Sequence, residues 1–344
     1  MPGNPSNSPT VEDEHWELIA VVGPGSTNNA KYAFDLSGWS VEDHSLSMTF
    51  RRPFLVEFTD EEIYLAVADL EHILSSLFVN DHIPRKIFYF FYPGPGSRHK
   101  EVGLRLTFML GQSGGASRPN PAVSREAFSQ TGWIYNKKTD WPSDVVPSTA
   151  SITKWIELFR NNESIAGCVG LLQNSFATIN RMAGEYRHYE YMALASAFIL
   201  MISGLESLFL KGSDHADVSF KFKMIGTAYY TKYVTSDFLT KFGPETKKLS
   251  SSEIMNLLGA LYDIRSAIAH GRTRSLFSGK QAKQWKPVFE ALRVQWKEPK
   301  DKNMFFSNLL LALGLLQKHI LALIWCSGEN LNKGADIVND LFET

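Results

Sequence analysis

The stretch from Leu257 to Gly271, LLGALYDIRSAIAHG, has the pattern of an amphipathic helix with two chemically different sides. At about 100° per residue, one narrow arc holds four apolar side chains, Leu257, Leu261, Ile264 and Ile268. The opposite arc, roughly 140° wide, holds Tyr262, Arg265, Ser266, Ala269 and His270. The pattern therefore predicts a helix that packs on a core with one side and presents polar groups on the other.

The end of this predicted helix brings an Arg and a His together. Gly271 stands where a C-cap glycine ends a helix, so His270 belongs to the last turn, where the carbonyl ends favour a cation. Arg265 and His270 lie about 140° apart on an ideal helix, with the small residue Ala269 between them. We therefore expect that a second helix could approach closely at this point.

Length and composition favour a two-domain globular protein. The chain has 344 residues, 44% hydrophobic and 21% charged, with a formal net charge of -1, so nucleic-acid binding would depend on a local patch. Its two cysteines, Cys168 and Cys326, indicate neither a disulfide framework nor a zinc site, and the histidines lack metal spacing. We expect no metal and no cofactor. The chain does not begin with a basic region and an apolar core, and a cytoplasmic location is predicted.

Two apolar segments, 192–210 and 305–326, are long enough to be tested as membrane spans. The first contains one charge, Glu206, and the second is interrupted by the polar triplet 317–319. The spacing of Phe198, Ile202, Leu205 and Phe209 is typical of a central helix in a bundle. We therefore predict core helices and no membrane contact.

The order of patterns along the chain predicts an α+β fold, with a mixed, β-rich N-terminal domain followed by a C-terminal all-α helical bundle. Residues 1–14 are a predicted disordered tail, and residues 15–147 a predicted β-rich domain that ends in a long linker over 111–147. This domain has strand patterns at 16–22, 45–50, 86–92 and 101–110, and a helix pattern over 60–78. Residues 148–344 have helical patterns at 151–161, 164–180, 184–211, 217–233, 251–270, 285–297, 303–326 and 334–342.

Three segments of the helical domain carry a family resemblance. They are LESLF at 205–209, SFKFKM at 219–224 and YDIRSAIAHG at 262–271. In this order and at these separations they resemble the HEPN superfamily, and within it the Apea-like branch. The resemblance covers roughly residues 185–275 and implies a helical bundle that forms a homodimer or higher homo-oligomer. In many members it also implies a metal-independent ribonuclease, whose signature Arg and His fall on Arg265 and His270.

The chemistry of RNA cleavage without metal agrees with these two residue types. It needs a base near the ribose 2'-hydroxyl, a proton donor for the leaving 5'-oxygen and a cation beside the phosphorane. One chain supplies one His and one Arg, so we predict a composite site in a two-fold dimer. Arg265 and His270 are the predicted catalytic residues, and the products are a 2',3'-cyclic phosphate and a 5'-hydroxyl. Four residues are predicted to support them, namely Ser266, Glu206, Tyr262 and Asp263.

A local run of basic residues predicts where RNA binds. No acidic residue occurs between Asp263 and Glu290, and Phe277 and Trp285 lie among the cations, where they are predicted to stack on unpaired bases. The predicted RNA-binding residues are Lys221, Lys223, Arg272, Arg274, Lys280, Lys283 and Lys286. The expected substrate is RNA, with tRNA among the candidates.

By resemblance, proteins of this type are often toxins or antiviral defence effectors that cause abortive infection, and the N-terminal domain would then bind a trigger protein or ligand. Other hypotheses are a non-catalytic HEPN dimer that serves as scaffold or partner-binding module, and a ligand sensor. In those cases Arg265 is a structural partner of Glu206 or Asp263, and His270 an ordinary helix-end cation. The basic run would be a solvated surface.

Overall fold

The computed structural model describes residues 16–22, 33–36, 38–44, 47–54, 60–81, 87–93, 149–185, 191–210, 217–240, 242, 246–298 and 302–331. The predicted tail at 1–14, strand at 101–110, linker at 111–147 and helix at 334–342 lie outside the described residues. The chain divides into two compact units. One consists of Met1–Leu70 and Lys86–Trp133, and the other of Glu71–Arg85 and Ile134–Thr344.

The first unit contains five antiparallel strands, in the order β2-β3-β4-β1-β5. They are β1 (Trp16–Val22), β2 (Ala33–Leu36), β3 (Trp39–His44), β4 (Ser47–Phe54) and β5 (Ile87–Pro93). Strand β1 pairs with both β4 and β5, so that Trp16 lies opposite Phe54 on one side and Pro93 on the other. Helix α1 (Asp60–Asp81) begins in this unit, where Asp69 forms an ion pair of 2.9 Å with Arg52 of β4.

The predicted fold class, α+β with a mixed β-rich N-terminal domain, is wrong. The described part of the chain is mainly helical, and an N-terminal β-rich domain is not shown. The strands contain four to eight residues each, whereas α1 alone contains 22. In the second unit, the hydrophobic core is formed mainly by helix side chains.

The second unit is a bundle of helices. In chain order they are α2 (Thr149–Asn161), α3 (Glu163–Glu185), α4 (Tyr191–Phe209), α5 (Val218–Tyr233), α6 (Ser236–Thr240), α7 (Ser251–Ala269), α8 (Thr273–Ser278), a 3-10 helix (Lys280–Trp285), α9 (Lys286–Ala291) and α10 (Lys302–Leu331). The end of α1 also belongs to this unit, where the Ser76 hydroxyl donates to the Ile152 carbonyl at 2.9 Å.

Close helix contacts in the bundle occur at glycines. A Cβ added at Gly204 of α4 would lie 3.1 Å from the Cys168 carbonyl of α3. A Cβ added at Gly226 of α5 would lie 2.7 Å from Leu258 Cδ1 of α7 and 2.8 Å from Phe209 Cε2 of α4. These distances are shorter than van der Waals contact, so α5 reaches its position against α4 and α7 only because residue 226 has no side chain.

Candidate functional site

Helix α7 carries the predicted catalytic pair, and its start is fixed by a capping box. The Ser250 hydroxyl accepts a hydrogen bond from the Glu253 N–H at 3.3 Å, and the Ser250 N–H donates to Glu253 Oε2 at 2.7 Å. These two bonds satisfy backbone donors that the first turn of a helix leaves unpaired. The predicted apolar side of the helix is buried, with Leu257, Leu261, Ile264 and Ile268 all below 9% exposure. The predicted helix over 251–270 is therefore confirmed.

The end of α7 is a Schellman motif that presents His270. Gly271 has a φ of +77°, its N–H donates to Ile268 O at 2.9 Å, and the Arg272 N–H donates to Ala267 O at 3.0 Å. Glycine fits here because it adopts positive φ without steric cost. His270 is the C-cap residue, and its side chain is exposed. Within the described part of the chain, this imidazole makes no hydrogen bond or ion pair, so it is accessible to a substrate.

Arg265 is held between two neighbours. One terminal nitrogen, Nη2, donates to Glu206 Oε2 of α4 at 3.1 Å, and the guanidinium lies 5.7 Å from the centre of the Tyr262 ring. The side chains of Arg265 and Glu206 are 31% and 16% exposed, respectively. Since a guanidinium has five N–H donors, this contact leaves donors available for a phosphate. Arg265 is therefore oriented and is partly open to solvent.

The carboxylate of Glu206 is the buried member of this pair. Burial raises the pKa of Glu206 above its ordinary value of 4.5, and the charge and hydrogen bond of Arg265 oppose that effect. Of the two partners considered for Arg265, the structure selects Glu206. Asp263 is exposed, and among the described residues it forms no ion pair. The charge of Glu206 thus depends on Arg265, as expected for a structural ion pair.

The other two predicted supporting residues, Tyr262 and Ser266, contact different neighbours. Tyr262 packs on Phe222 of α5 with ring centres 5.7 Å apart, so it supports Arg265 from the side of α5. Ser266 is half-buried, and its carbonyl accepts the His270 N–H at 3.0 Å as part of the helix. Its hydroxyl makes no hydrogen bond to the imidazole in the described structure. In this conformation Ser266 therefore does not hold the His270 side chain.

The basic residues that follow α7 are mainly on the surface. Four of them are exposed and form no ion pair with any described residue, namely Arg272, Arg274, Lys280 and Lys283. Lys286 is also exposed and lies 3.6 Å from Glu290, one helical turn further. Lys221 and Lys223 of α5 are half-buried. Four exposed cations between Arg272 and Lys283 thus follow His270 in the chain without a carboxylate partner among the described residues.

The predicted stacking of Phe277 and Trp285 on RNA bases is wrong. Phe277 is 2% exposed and Trp285 is fully buried. Their ring centres are 5.7 Å apart, and Trp285 packs edge-on against Phe198 of α4 at 5.2 Å. The two rings attach α8 and the 3-10 helix to the bundle, because the area that they bury stabilises elements too short to be stable alone. They are unavailable to a ligand.

A polar contact that the sequence did not indicate lies inside the bundle. His319 of α10 is 5% exposed, and its Nδ1 lies 2.7 Å from the Tyr230 hydroxyl, which also accepts the Leu249 N–H at 3.3 Å. These two rings border an apolar cavity of about 20 Å³ that Gly226 and Leu257 also line. A space of this size holds at most one water molecule. We assign it no substrate.

Two general features of the described residues bear on cofactors and membranes. In the parts of the chain that the structure describes, no group of three or more His, Cys, Asp or Glu residues could hold a metal ion.

Two helical segments, Tyr191–Phe209 and Met304–Gly328, are long and apolar enough to cross a membrane. However, 56% and 61% of their most apolar 18-residue stretches, respectively, are buried inside the protein. Such burial is typical of core helices, so the two segments are weak evidence for membrane spans.

Comparisons of this chain with protein-family models, with curated proteins and with solved structures found no match. The resemblance of the three segments around Arg265 and His270 to the HEPN superfamily therefore stays a prediction.

Proposed function

We propose that this chain is a metal-independent endoribonuclease that cleaves RNA at a composite dimer site with Arg265 and His270. The observation that carries the proposal is the end of α7. There the His270 imidazole is exposed without a partner in the described structure, and the Arg265 guanidinium is held through one nitrogen only. An accessible acid–base group and a phosphate-binding cation on one helix are the groups that the reaction requires.

In the proposed reaction the ribose 2'-oxygen attacks the adjacent phosphorus while the bond from phosphorus to the 5'-oxygen breaks. A neutral His270 removes the proton of the 2'-hydroxyl, and a protonated His270 from the second subunit donates a proton to the leaving 5'-oxygen. Arg265 donates hydrogen bonds to the charged oxygens of the phosphorane. The products are a 2',3'-cyclic phosphate and a 5'-hydroxyl.

The exposed cations beside the site support RNA as the substrate. Arg272 and Arg274 directly follow His270, and Lys280 and Lys283 continue the positive surface. The whole chain has a net charge of -1, so the attraction for RNA would come from this local surface. The proposed biological role is a cytoplasmic toxin or antiviral defence effector, with a trigger protein or ligand that binds the N-terminal part.

The direct test is incubation of the purified full chain with total RNA and tRNA in EDTA, with analysis of the fragment ends. We expect fragments with a cyclic phosphate, and no fragments from the Arg265→Ala and His270→Ala variants. Lys297→Ala is a matched control, because it also removes a cation from the helical unit. Fragments that persist in the His270→Ala variant would contradict the assignment.

A second candidate function is a non-catalytic dimer that serves as a scaffold, sensor or partner-binding module. The observation that favours it is the Arg265–Glu206 ion pair, because this contact explains an Arg at position 265 without any chemistry. Expression in cells separates the two candidates. An effector becomes harmless when His270 is replaced by Ala, whereas a scaffold behaves the same with either residue.

A further inference from the structure

Phe220 is an exposed aromatic residue that the packing of the bundle does not explain. It lies in the first turn of α5, and it is 57% exposed. Of the aromatic side chains that the structure describes between residues 149 and 331, it is the only exposed one. Phe222, on the opposite side of the same helix, is fully buried and packs on Phe209 and Tyr262. The ring of Phe222 is therefore part of the core, whereas the ring of Phe220 is exposed to solvent.

The way α5 packs on α7 gives the level of this ring along the bundle relative to the candidate site. Contacts between the two helices join Phe222 to Tyr262 and Thr231 to Ser251, so the helices run antiparallel. Along the helix axes, Phe220 is about 3 Å beyond Phe222, and Arg265 is about 4.5 Å beyond Tyr262 in the same direction. The first turn of α5 therefore lies at the same level as Arg265.

The charges around Phe220 suit a nucleic acid. Lys221 and Lys223 follow on the same helix, where they outnumber the single acidic residue of its start, the N-cap Asp217. An exposed ring beside cations is an arrangement with which proteins bind single strands, because bases stack on the ring while phosphates contact the cations. Phe277 and Trp285, which the sequence suggested for this role, are buried.

We propose that Phe220 stacks on an unpaired base of the RNA that the candidate site binds. This inference rests on the proposed ribonuclease function and makes it more specific. A base can stack on Phe220 only if its face is free, so the RNA is single-stranded at this point. Because every base has such a face, Phe220 contributes affinity without selecting a particular base.

The test measures RNA binding apart from cleavage, in the full-length His270→Ala protein. Fluorescence anisotropy with a labelled single-stranded RNA compares four substitutions at position 220, to Ala, Leu, Tyr and Trp. We expect roughly five- to hundredfold weaker binding with Ala and with Leu, and binding close to that of the parent with Tyr and Trp. Leu keeps an apolar side chain without a ring, so it separates base stacking from general apolar contact.

Two controls accompany the binding series. Leu311→Ala removes a side chain of α10 with similar exposure, 56%, and should leave binding unchanged. A duplex RNA of the same length should bind equally well with and without the ring at 220. Sedimentation of each variant reports whether the oligomeric state has changed.

Three results would overturn the inference. They are equal binding by the Ala and Tyr variants, no RNA binding by the parent, and a change of oligomeric state with Ala that Leu restores. The last result would place Phe220 in a protein interface. If instead binding depends on the ring while the unsubstituted protein cleaves no RNA, the proposed function fails and the base-stacking role of Phe220 stands.

Discussion

At the scale of single residues, the Arg265–Glu206 ion pair has both a structural and a proposed chemical role. We expect Arg265→Ala to lower the free energy of unfolding by about 1–3 kcal/mol, because it leaves the largely buried carboxylate of Glu206 without its partner. Adding Glu206→Gln to this variant should recover part of the loss, since a neutral amide needs no cation. Urea unfolding of the two single variants and the double variant measures this coupling. If Glu206→Gln changed the stability by the same amount with and without Arg265, the ion pair would contribute nothing to stability.

His319 predicts how stability depends on pH. Burial, and then the charges of Lys318 and Arg293, lower the pKa of His319 from 6.5 to about 4. The unfolded chain therefore binds a proton near pH 6.5 that the folded chain does not bind until about pH 4. The contribution of His319 to the free energy of unfolding is fully present above about pH 6.5. It falls by about 3 kcal/mol as the pH approaches 4, because each pH unit between the two pKa values corresponds to about 1.36 kcal/mol.

The measurement is a series of urea titrations between about pH 4.5 and pH 7 on the unsubstituted protein and on His319→Gln. Glutamine does not titrate, so the variant should lose less stability than the parent over this range. The nearby Tyr230 stays uncharged throughout, since burial raises its pKa above the ordinary value of 10. Parallel pH profiles for the two proteins would mean that His319 is not responsible for the acid sensitivity.

At the scale of elements, the sequence predicted the long helices better than the short ones. Helix α7 was predictable because Ser250, Glu253 and Gly271 mark both of its ends locally. Helices α6 and α8 contain five and six residues and were missed, because tertiary packing, rather than their own periodicity, forms them. The predicted strands at 16–22 and 86–92 correspond to β1 and β5, but a few short strands did not justify the prediction of a β-rich domain in a chain that is mainly helical where it is described.

The candidate site was predictable in its residue types and less so in its contacts. Arg265 and His270 could be placed on one helix end from spacing alone, but the choice of Glu206 over Asp263 depends on how α4 packs on α7. The direction of each aromatic ring also depends on that packing. Local sequence does not show that Phe222 and Trp285 are buried while Phe220 is exposed, since all three lie near lysines.

Two glycine substitutions test the packing of α5. We expect Gly226→Ala to lower the free energy of unfolding by about 1–3 kcal/mol, because the new methyl group would lie 2.7 Å from Leu258 Cδ1. Gly170→Ala, in α3, adds the same group where no atom lies within 4 Å, and should raise stability by about 0.5–1 kcal/mol. Chemical unfolding measures both changes. Similar effects of the two substitutions would show that α5 moves aside without cost.

At the scale of the whole molecule, the chemistry assigned to α7 needs a second copy of the chain. One chain supplies a single His270, whereas the proposed reaction uses one imidazole as base and another as acid. Ala269 and the exposed side of Ser266 leave room between Arg265 and His270 for a second α7 to approach. A two-fold dimer formed through this face would collect two Arg and two His side chains in one cleft.

Mixed dimers of an unsubstituted and a substituted chain test this arrangement. A dimer of one unsubstituted chain and one His270→Ala chain retains both Arg265 side chains but a single His270. Co-expression of the two chains with different affinity tags allows the mixed dimer to be purified through both tags. If the cleft is shared and the reaction uses one imidazole as base and the other as acid, the mixed dimer should be about as inactive in EDTA as the His270→Ala dimer. A mixed dimer of one unsubstituted chain and one Lys297→Ala chain serves as the control and should cleave RNA like the unsubstituted dimer. If the mixed dimer with His270→Ala instead retained about half of that activity, each site would lie within one subunit.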